Sequence, residues 1–380
     1  MGFIKNYNEL ATTPERKIVL DLIETAISSI QPEKVLENFT LEDLDRYERV
    51  FLIGFGKGSA KVSSIIEEKL GEKLTEGYVI DVTSEQFKKI QLTIGTHPLP
   101  SQVNIDFTKR VVERFQNKLS EKDLVVVVVT GGGSALFELP RSLSLDELIK
   151  FNEELLKSGL NIQQMNEERK KLSQVKGGKL TKILSPAKVL GLIFSDVPGN
   201  DLSVVASGPT DDPSAENILM LSNKTALEAM KKKAEKLDLR TLEYSDQIQG
   251  EAREVGKLLI QKTEPNSILL AAGETTVTVH GNGKGGRNQE LVLDALSNAT
   301  IEQSNNFVIA SFDSDGWDNT GFAGAIGDSQ TLRKSKELNL NPQKFLDENN
   351  SFEFFTKVGD GIITGRLPSN ISDLIIVYKT

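Results

Sequence analysis

Residues 124–129 read LVVVVV, an unbroken apolar run, and Thr130-Gly131-Gly132-Gly133-Ser134 follows at once. A strand that is apolar on both sides has to be covered on both faces, which is the habit of a parallel strand flanked by helices. That requirement removes all-helical folds and one-sided antiparallel sheets. Strand patterns recur at 50–53, 78–82, 91–95 and 189–194, separated by helical patterns at 14–30, about 60–70, 104–118 and 145–158. A basic helix at 170–184 is interrupted by Gly177 and Gly178. Such alternation predicts an α/β fold whose ligands gather beyond the carboxyl ends of the strands.

From about 210 to 261 the chain turns polar and lysine-rich, and reads as helical. Beyond it, strand patterns at 268–271, 275–280, 307–310 and 373–378 suggest a second domain. At 380 residues the chain is long enough for two cores. The boundary is expected at 240/241: an N-terminal Rossmann-like parallel sheet with helices on both faces over 1–240, and a smaller C-terminal α/β domain over 241–380. A net charge of −9 argues against a general nucleic-acid surface. No run of 18 apolar residues is present and the first ten residues lack an export pattern, so the expectation is a cytoplasmic protein that does not span a membrane. With no cysteine and two histidines, thiolate chemistry is excluded and imidazole can come only from His97 or His280.

Four loops carry the chemistry. Gly54-Phe55-Gly56-Lys57-Gly58-Ser59-Ala60 stands at a strand-to-helix turn, and Asp81 ends the next strand at roughly the spacing of a ribose-binding acid. Ser59 replaces the third glycine of that fingerprint, and Lys57 inside the turn suits phosphoryl recognition; the alternative is a surface lysine at a helix start. Gly131, Gly132 and Gly133 invite close approach of a ligand to the backbone, with Ser134 as a hydroxyl donor. Asp196 ends the 189–194 strand, where it can hold Mg²⁺ or accept a hydroxyl proton, and Ser207-Gly208 makes a second tight loop. Asp201 there can instead cap the short segment after it. In the second domain, Gly281 to Glu290 (GNGKGGRNQE) runs from strands into a helix, placing Lys284 and the planar fork of Arg287 at a helix N-terminus. The acidic turn Asp313-Ser314-Asp315-Gly316-Trp317-Asp318 lacks the twelfth-position Glu of a calcium loop.

In this order GFGKGSA, THPLP, TGGGSALFELP, RKKLSQVKGGKL, FSDVPGNDLSVVASGPT and GETTVTVHGNGKGGRNQEL resemble the class II glycerate kinases, whose C-terminal domain is called MOFRL. The resemblance covers about 15–378. It implies ATP- and Mg²⁺-dependent phosphorylation of D-glycerate to 2-phosphoglycerate, with no nucleic-acid or membrane partner, and is compatible with a homodimer. Carried over by position, it implies catalytic roles for Lys57, Asp196 and Arg287. Phosphate contacts would come from Gly54, Gly56, Gly131, Gly132, Gly133, Ser134, Ser207, Gly208 and Lys284, and metal contacts from Asp196 and Asp315. Arg287 would clamp either the glycerate carboxylate or the transferring phosphoryl group. The chain departs from the family pattern in four places that bear on substrate, one being His280 where the family has an arginine before the glycine-rich loop. RKHLS reads RKKLS, with Lys171 for the histidine; DGIDGPT reads DGWDNT from Asp315; TGPTGTNVNDL reads TGRLPSNISDL from Thr364. Two competing functions remain at this stage: a nicotinamide-dependent hydroxypyruvate reductase, motivated by the Gly54 loop and Asp81, and a non-catalytic anion-binding protein.

Overall fold

The computed structural model describes residues 2–160, 162–197, 199–299 and 301–380. It forms two compact units, one of Pro32–Ser222 and one of Met1–Gln31 with Asn223–Thr380. They are of nearly equal length. The division differs from a boundary at 240/241 for a packing reason. The Asn223–Glu235 helix lies on the Pro14–Ser29 helix and on two strands of the C-terminal sheet, so both helices belong with that sheet.

The Pro32–Ser222 unit is built on six parallel strands: β1 (Arg49–Phe55), β2 (Leu74–Asp81), β3 (Ile90–Ile94), β4 (Asp123–Val129), β5 (Lys188–Phe194) and β6 (Ala215–Leu221). Their spatial order is β3-β2-β1-β4-β5-β6, the doubly wound Rossmann order, which reverses direction between β1 and β4. The two-residue period explains the layers. Phe51, Ile53, Phe55, Val125, Val127 and Val129 point to one face, where they meet Phe107, Val111 and Phe115 of the Gln102–Phe115 helix. Gly54 points to the other face, where a Cβ would stand 2.6 Å from Ser63 Oγ on the Ser59–Leu70 helix. The basic helix expected over 170–184 is two, Ile162–Leu172 and Lys179–Leu184, broken where Gly177 and Gly178 take positive φ.

The second unit carries a mixed sheet of β7 (Arg240–Ile248), β8 (Ser267–Gly273), β9 (Phe307–Asp313), β10 (Gly324–Gly327), β11 (Gly361–Ile362) and β12 (Asp373–Lys379). The order is β11-β10-β9-β12-β8-β7, antiparallel except where β7 joins β8. Its core is the Arg287–Ser297 helix, buried at Leu291, Val292, Leu293, Ala295 and Leu296. Two strands, β6 and β7, lie in the stretch expected to be helical. Both are sheet edges with mostly half-exposed or exposed residues, so neither shows a buried-strand pattern. The strand expected at 275–280 does not form. There the backbone bonds go one at a time to Gly250, Glu251 and Asn349 instead of to a ladder. No described helix is long and apolar enough to cross a membrane.

Arg16 on the Pro14–Ser29 helix is wholly buried. Its Nε and Nη2 donate to Asp328 at 2.7 and 2.8 Å, its Nη1 to Asp360 at 2.9 Å, and Nη2 also to Thr331 Oγ1 at 2.8 Å. Asp328 in turn caps the Ser329–Glu337 helix. Removing the guanidinium leaves two buried carboxylates facing each other, with only the half-exposed Lys334, 3.4 Å from Asp360, to offset them. Arg16→Ala is therefore expected to destabilise this unit by roughly 3–5 kcal/mol, read from urea unfolding; an unchanged midpoint would contradict the network.

Candidate active site

In the Pro32–Ser222 unit the turns after β1 and β4 are pressed together. The Lys57 N–H donates to the Gly131 carbonyl at 2.7 Å, and the Thr130 N–H to that of Phe55 at 3.1 Å. Gly56 has φ +116, and a Cβ on it would stand 2.4 Å from the Thr130 carbonyl oxygen, so only glycine fits. A Cβ on Gly131 would stand 2.0 Å from Asp196 Oδ2, which places that carboxylate, at the end of β5, directly over the glycine. A Cβ on Gly132 would meet the His97 ring at 2.9 Å and the Lys57 stem at 3.3 Å. Lys57, Asp196 and His97 thus converge on Gly131-Gly132 at the reversal between β1 and β4, where open parallel sheets bind ligands. Among the described residues Lys57 makes no ion pair. His97 was not singled out from the sequence. Partial withdrawal from water, then the Lys57 ammonium, hold its imidazole below the usual histidine range, so it is neutral near pH 7.

The turn continues into Ser134, whose hydroxyl lies 3.0 Å from that of Ser207; Ser207 Oγ donates to Asn166 Oδ1 at 3.0 Å. Ala206, Ser207 and Gly208 all take positive φ, which for the first two costs on the order of 1 kcal/mol each. The Gly177 and Gly178 N–H groups hold them there by donating to the carbonyls of Ser207 and Gly208 at 3.0 and 2.7 Å. Beneath lies Lys176, fully buried, donating to the Ser134 carbonyl at 2.9 Å and paired with Glu138. Lys176, Glu138 and Asn166 escaped the sequence reading because burial, not spacing, defines them. Asp201 accepts the Ser203 N–H at 2.9 Å and caps a turn, and Pro198 in the same motif lies outside the described residues.

Asp81 does not offer itself to a ribose. It is fully buried, and its carboxylate accepts the Ala60 N–H at 2.8 Å and the Val82 N–H at 2.6 Å, tying the Ser59–Leu70 helix to β2. Burial raises its pKa against the lowering effect of those N–H groups.

In the other unit the glycine-rich loop borders a cleft of about 920 Å³, lined also by Val277, Val279, Trp317 and Phe352. The loop's glycines are required by the protein itself. A Cβ on Gly281 would stand 2.2 Å from the Glu348 carbonyl oxygen, and one on Gly286 2.1 Å from that of Asp318. The anion at the helix N-terminus is also internal: Asp318, buried, accepts the Asn288 and Gln289 N–H groups at 3.1 and 2.9 Å. Lys284 is exposed on the cleft and makes no ion pair among the described residues. Arg287 is fully engaged. Nε reaches Asp373 at 2.6 Å, Nη2 reaches Asp373 and Asp313 at 3.0 and 3.2 Å, and Nη1 reaches Glu274 at 2.6 Å. Its fork organises three carboxylates, of which Asp313 lines the cleft. Asp315 accepts the Trp317 N–H at 2.8 Å within its own turn.

Residues 18–237 match a family described as a domain of unknown function (DUF4147), and residues 267–373 match the MOFRL family. The glycerate 2-kinase of Picrophilus torridus is 32% identical, the match covering 98% of this chain and 98% of that protein. The D-glycerate 2-kinase of Thermotoga maritima is also 32% identical, over 95% and 97%. A solved structure of a glycerate kinase from Thermotoga maritima superposes with a TM-score of 0.86 at 30% identity, covering 96% of this chain and 99% of that one.

The carboxylates around Arg287 yield a pH dependence. Burial, then repulsion from Asp373 and Asp315, raises Asp313; burial, opposed by Arg287, raises Asp373. The two share their titration, and the folded protein keeps a proton on them that the unfolded chain has released. Stability from this source is complete below the unfolded carboxylate value, about pH 4, and is lost as pH rises toward about 8. Between those limits the slope for one proton reaches about 1.4 kcal/mol per pH unit. Asp313→Asn should flatten the fall in unfolding midpoint between pH 5 and 8; an unaltered slope would show that the pair ionises freely.

Proposed function

The chain belongs to the glycerate kinase family that carries a C-terminal MOFRL domain, and from that premise we propose that it transfers the γ-phosphoryl group of ATP to the C2 hydroxyl of D-glycerate in the cytoplasm. The observation that carries this reading is the convergence of Lys57, Asp196 and His97 on the Gly131-Gly132 turn at the β1/β4 reversal. Phosphoryl transfer asks a protein for alignment and charge neutralisation more than for covalent help. The C2 oxygen attacks the γ-phosphorus, the bond to the β,γ-bridging oxygen breaks, and ADP departs. The hydroxyl proton passes to an acceptor, and two stand at the turn: the Asp196 carboxylate and the neutral His97 imidazole. Lys57 supplies positive charge where the equatorial oxygens carry the most negative charge. Ser207 is fully buried with its hydroxyl proton given to Asn166, so it supports Ser134 from behind, and Ser134 is the hydroxyl that borders the same turn.

Mg²⁺ binds phosphorylated substrates through one or two carboxylates and several waters, and a single strand-end carboxylate fits that habit. Among the described residues no group of three or more His, Asp or Glu side chains is arranged to hold a metal. Asp196 is the residue we assign to Mg²⁺, which would offset the charge of the β- and γ-phosphates. The bonding of Asp315 within its own turn favours a structural role for it. Arg287 acts, on this reading, by holding Asp313, Asp373 and Glu274 in place, since every arm of its fork is already bonded.

Purified protein given D-glycerate and MgATP should release ADP in step with 2-phosphoglycerate, and should not oxidise NADH with hydroxypyruvate. NADH oxidation without ADP release would replace the kinase with a reductase, a reading that the burial of Asp81 already disfavours. Lys57→Ala should lower kcat on the order of 10³-fold, the scale of losing a transition-state cation; activity within a few-fold of wild type would make Lys57 a surface lysine. Asp196→Asn separates its two roles. A raised Mg²⁺ requirement assigns it to the metal and the proton to His97, whereas a fall in kcat at unchanged Mg²⁺ requirement makes Asp196 the base.

A further inference from the structure

Every arm of the Arg287 fork is bonded inside its own unit, so on the kinase reading the glycerate carboxylate needs a different clamp. Another planar fork lies in the same unit as Lys57 and Asp196. Arg169, on the Ile162–Leu172 helix, is half-buried and makes no ion pair among the described residues. Its neighbours show the contrast: Lys170 pairs with Glu167 at 2.9 Å and Lys171 with Glu168 at 2.6 Å, both within the helix. Arg169 gives only its Nε away, to Asn152 Oδ1 at 3.0 Å. That bond orients the guanidinium and leaves Nη1 and Nη2 without a hydrogen bond among the described residues. The carboxylate that attracts it, Glu138, is committed to the fully buried Lys176. Withdrawal from water lowers the guanidinium below the usual arginine range, and Glu138 only partly opposes this. An arginine nevertheless stays protonated, so a full positive charge stands there without a matching carboxylate.

The helix sets where that charge lies. Asn166 precedes Arg169 by three residues, so the two side chains neighbour each other on one helix face. Asn166 Oδ1 accepts the Ser207 hydroxyl at 3.0 Å, and the Ser207 and Ser134 hydroxyls lie 3.0 Å apart. A Cβ on Gly133 would stand 3.0 Å from the Ala206 Cβ, so the Ser207 turn packs on the glycine turn itself. Lys57, Asp196 and His97 stand at the start of that turn, over Gly131-Gly132, and Ser134 stands at its end. A 2-hydroxy acid carries its carboxylate on the carbon that bears the reacting hydroxyl, so one neighbourhood must serve both groups. We infer that Arg169 binds the carboxylate of the small hydroxy acid taken by this site, through Nη1 and Nη2, and so selects acids over neutral polyols. This rests on the kinase reading for the identity of that acid. A guanidinium fork gives a carboxylate two parallel N–H bonds, whereas Lys57 offers a point charge to phosphoryl oxygens.

Glyceramide, the uncharged amide of D-glycerate, keeps both hydroxyls and lacks the carboxylate. Arg169→Ala should lower kcat/KM for D-glycerate on the order of 10²-fold, mainly through KM. KM for ATP and the slower phosphorylation of glyceramide should stay within a few-fold. Arg169→Lys keeps the charge without the fork and should recover part of the loss; it carries the same comparison if the alanine variant does not fold. An equal fall for glycerate and glyceramide would make Arg169 structural, and a rise confined to KM for ATP would make it a phosphate contact. Either result overturns the inference. Calorimetric titration with D-glycerate in the absence of nucleotide separates it from the kinase reading. Glycerate binding that Arg169→Ala abolishes, in a protein without phosphoryl transfer, would sustain the clamp and sink the kinase. Full turnover by Arg169→Ala at an unchanged KM for glycerate would do the reverse.

Discussion

Two strand-end turns pressed together without room for a side chain organise the Pro32–Ser222 unit. The register of β1 with β4 is unbroken from Arg49–Asp123 to Phe55–Val129, so the strands end level and their turns must meet. Gly56 against Thr130, and the Lys57 N–H on the Gly131 carbonyl, follow from that levelness. Because β5 ends one strand further along, Asp196 comes over Gly131. A Cβ at either glycine would part the turns and carry Lys57 away from Asp196. The geometry of this candidate site is thus a consequence of backbone packing, and the buried Lys176–Glu138 pair and the positive-φ run at Ala206-Ser207 hold its second wall.

The C-terminal unit shows the opposite economy of charge. Its glycine-rich loop, helix N-terminus and arginine look in sequence like an anion site, yet each is satisfied from within. Asp318 caps the helix, the residues about Glu348 fill the space the glycines leave, and three carboxylates take the Arg287 fork. Among the described residues lining the cleft, Lys284 is the cation without an ion pair. An internal carboxylate and a bound phosphate impose the same demands on a helix N-terminus, so a motif records the demand without saying which anion meets it.

That ambiguity marks the border of what could be read from residues alone. The β1, β4 and β5 strands and the doubly wound class were legible because double-sided burial writes an apolar run, whereas the level register of β1 with β4 was not. Lys57, Gly131 and Asp196 were legible because they end such runs. Asp81 stood at a ribose-binding spacing and proved to be a helix tie, since distance along the chain carries no information about burial. The edges β6 and β7 were missed because a strand bonded on one side keeps half-exposed residues, and the boundary moved with them. Residues 1–31 belong with the C-terminal sheet through Arg16, whose partners Asp328 and Asp360 lie more than 300 positions away. No local pattern announces a pairing at that range.

The central claim is that Lys57 is the cation at the β1/β4 turn that meets the phosphoryl group, and it can be observed directly. Reductive methylation with ¹³C-formaldehyde labels the lysines, and a Lys57→Arg spectrum identifies the Lys57 signal by its absence. Adding MgADP with 2-phosphoglycerate to the labelled protein should shift that resonance while that of Lys69, in the last turn of the following helix, stays in place. A Lys57 resonance that does not move when both ligands are bound, as judged by their own ³¹P line broadening, would contradict the account.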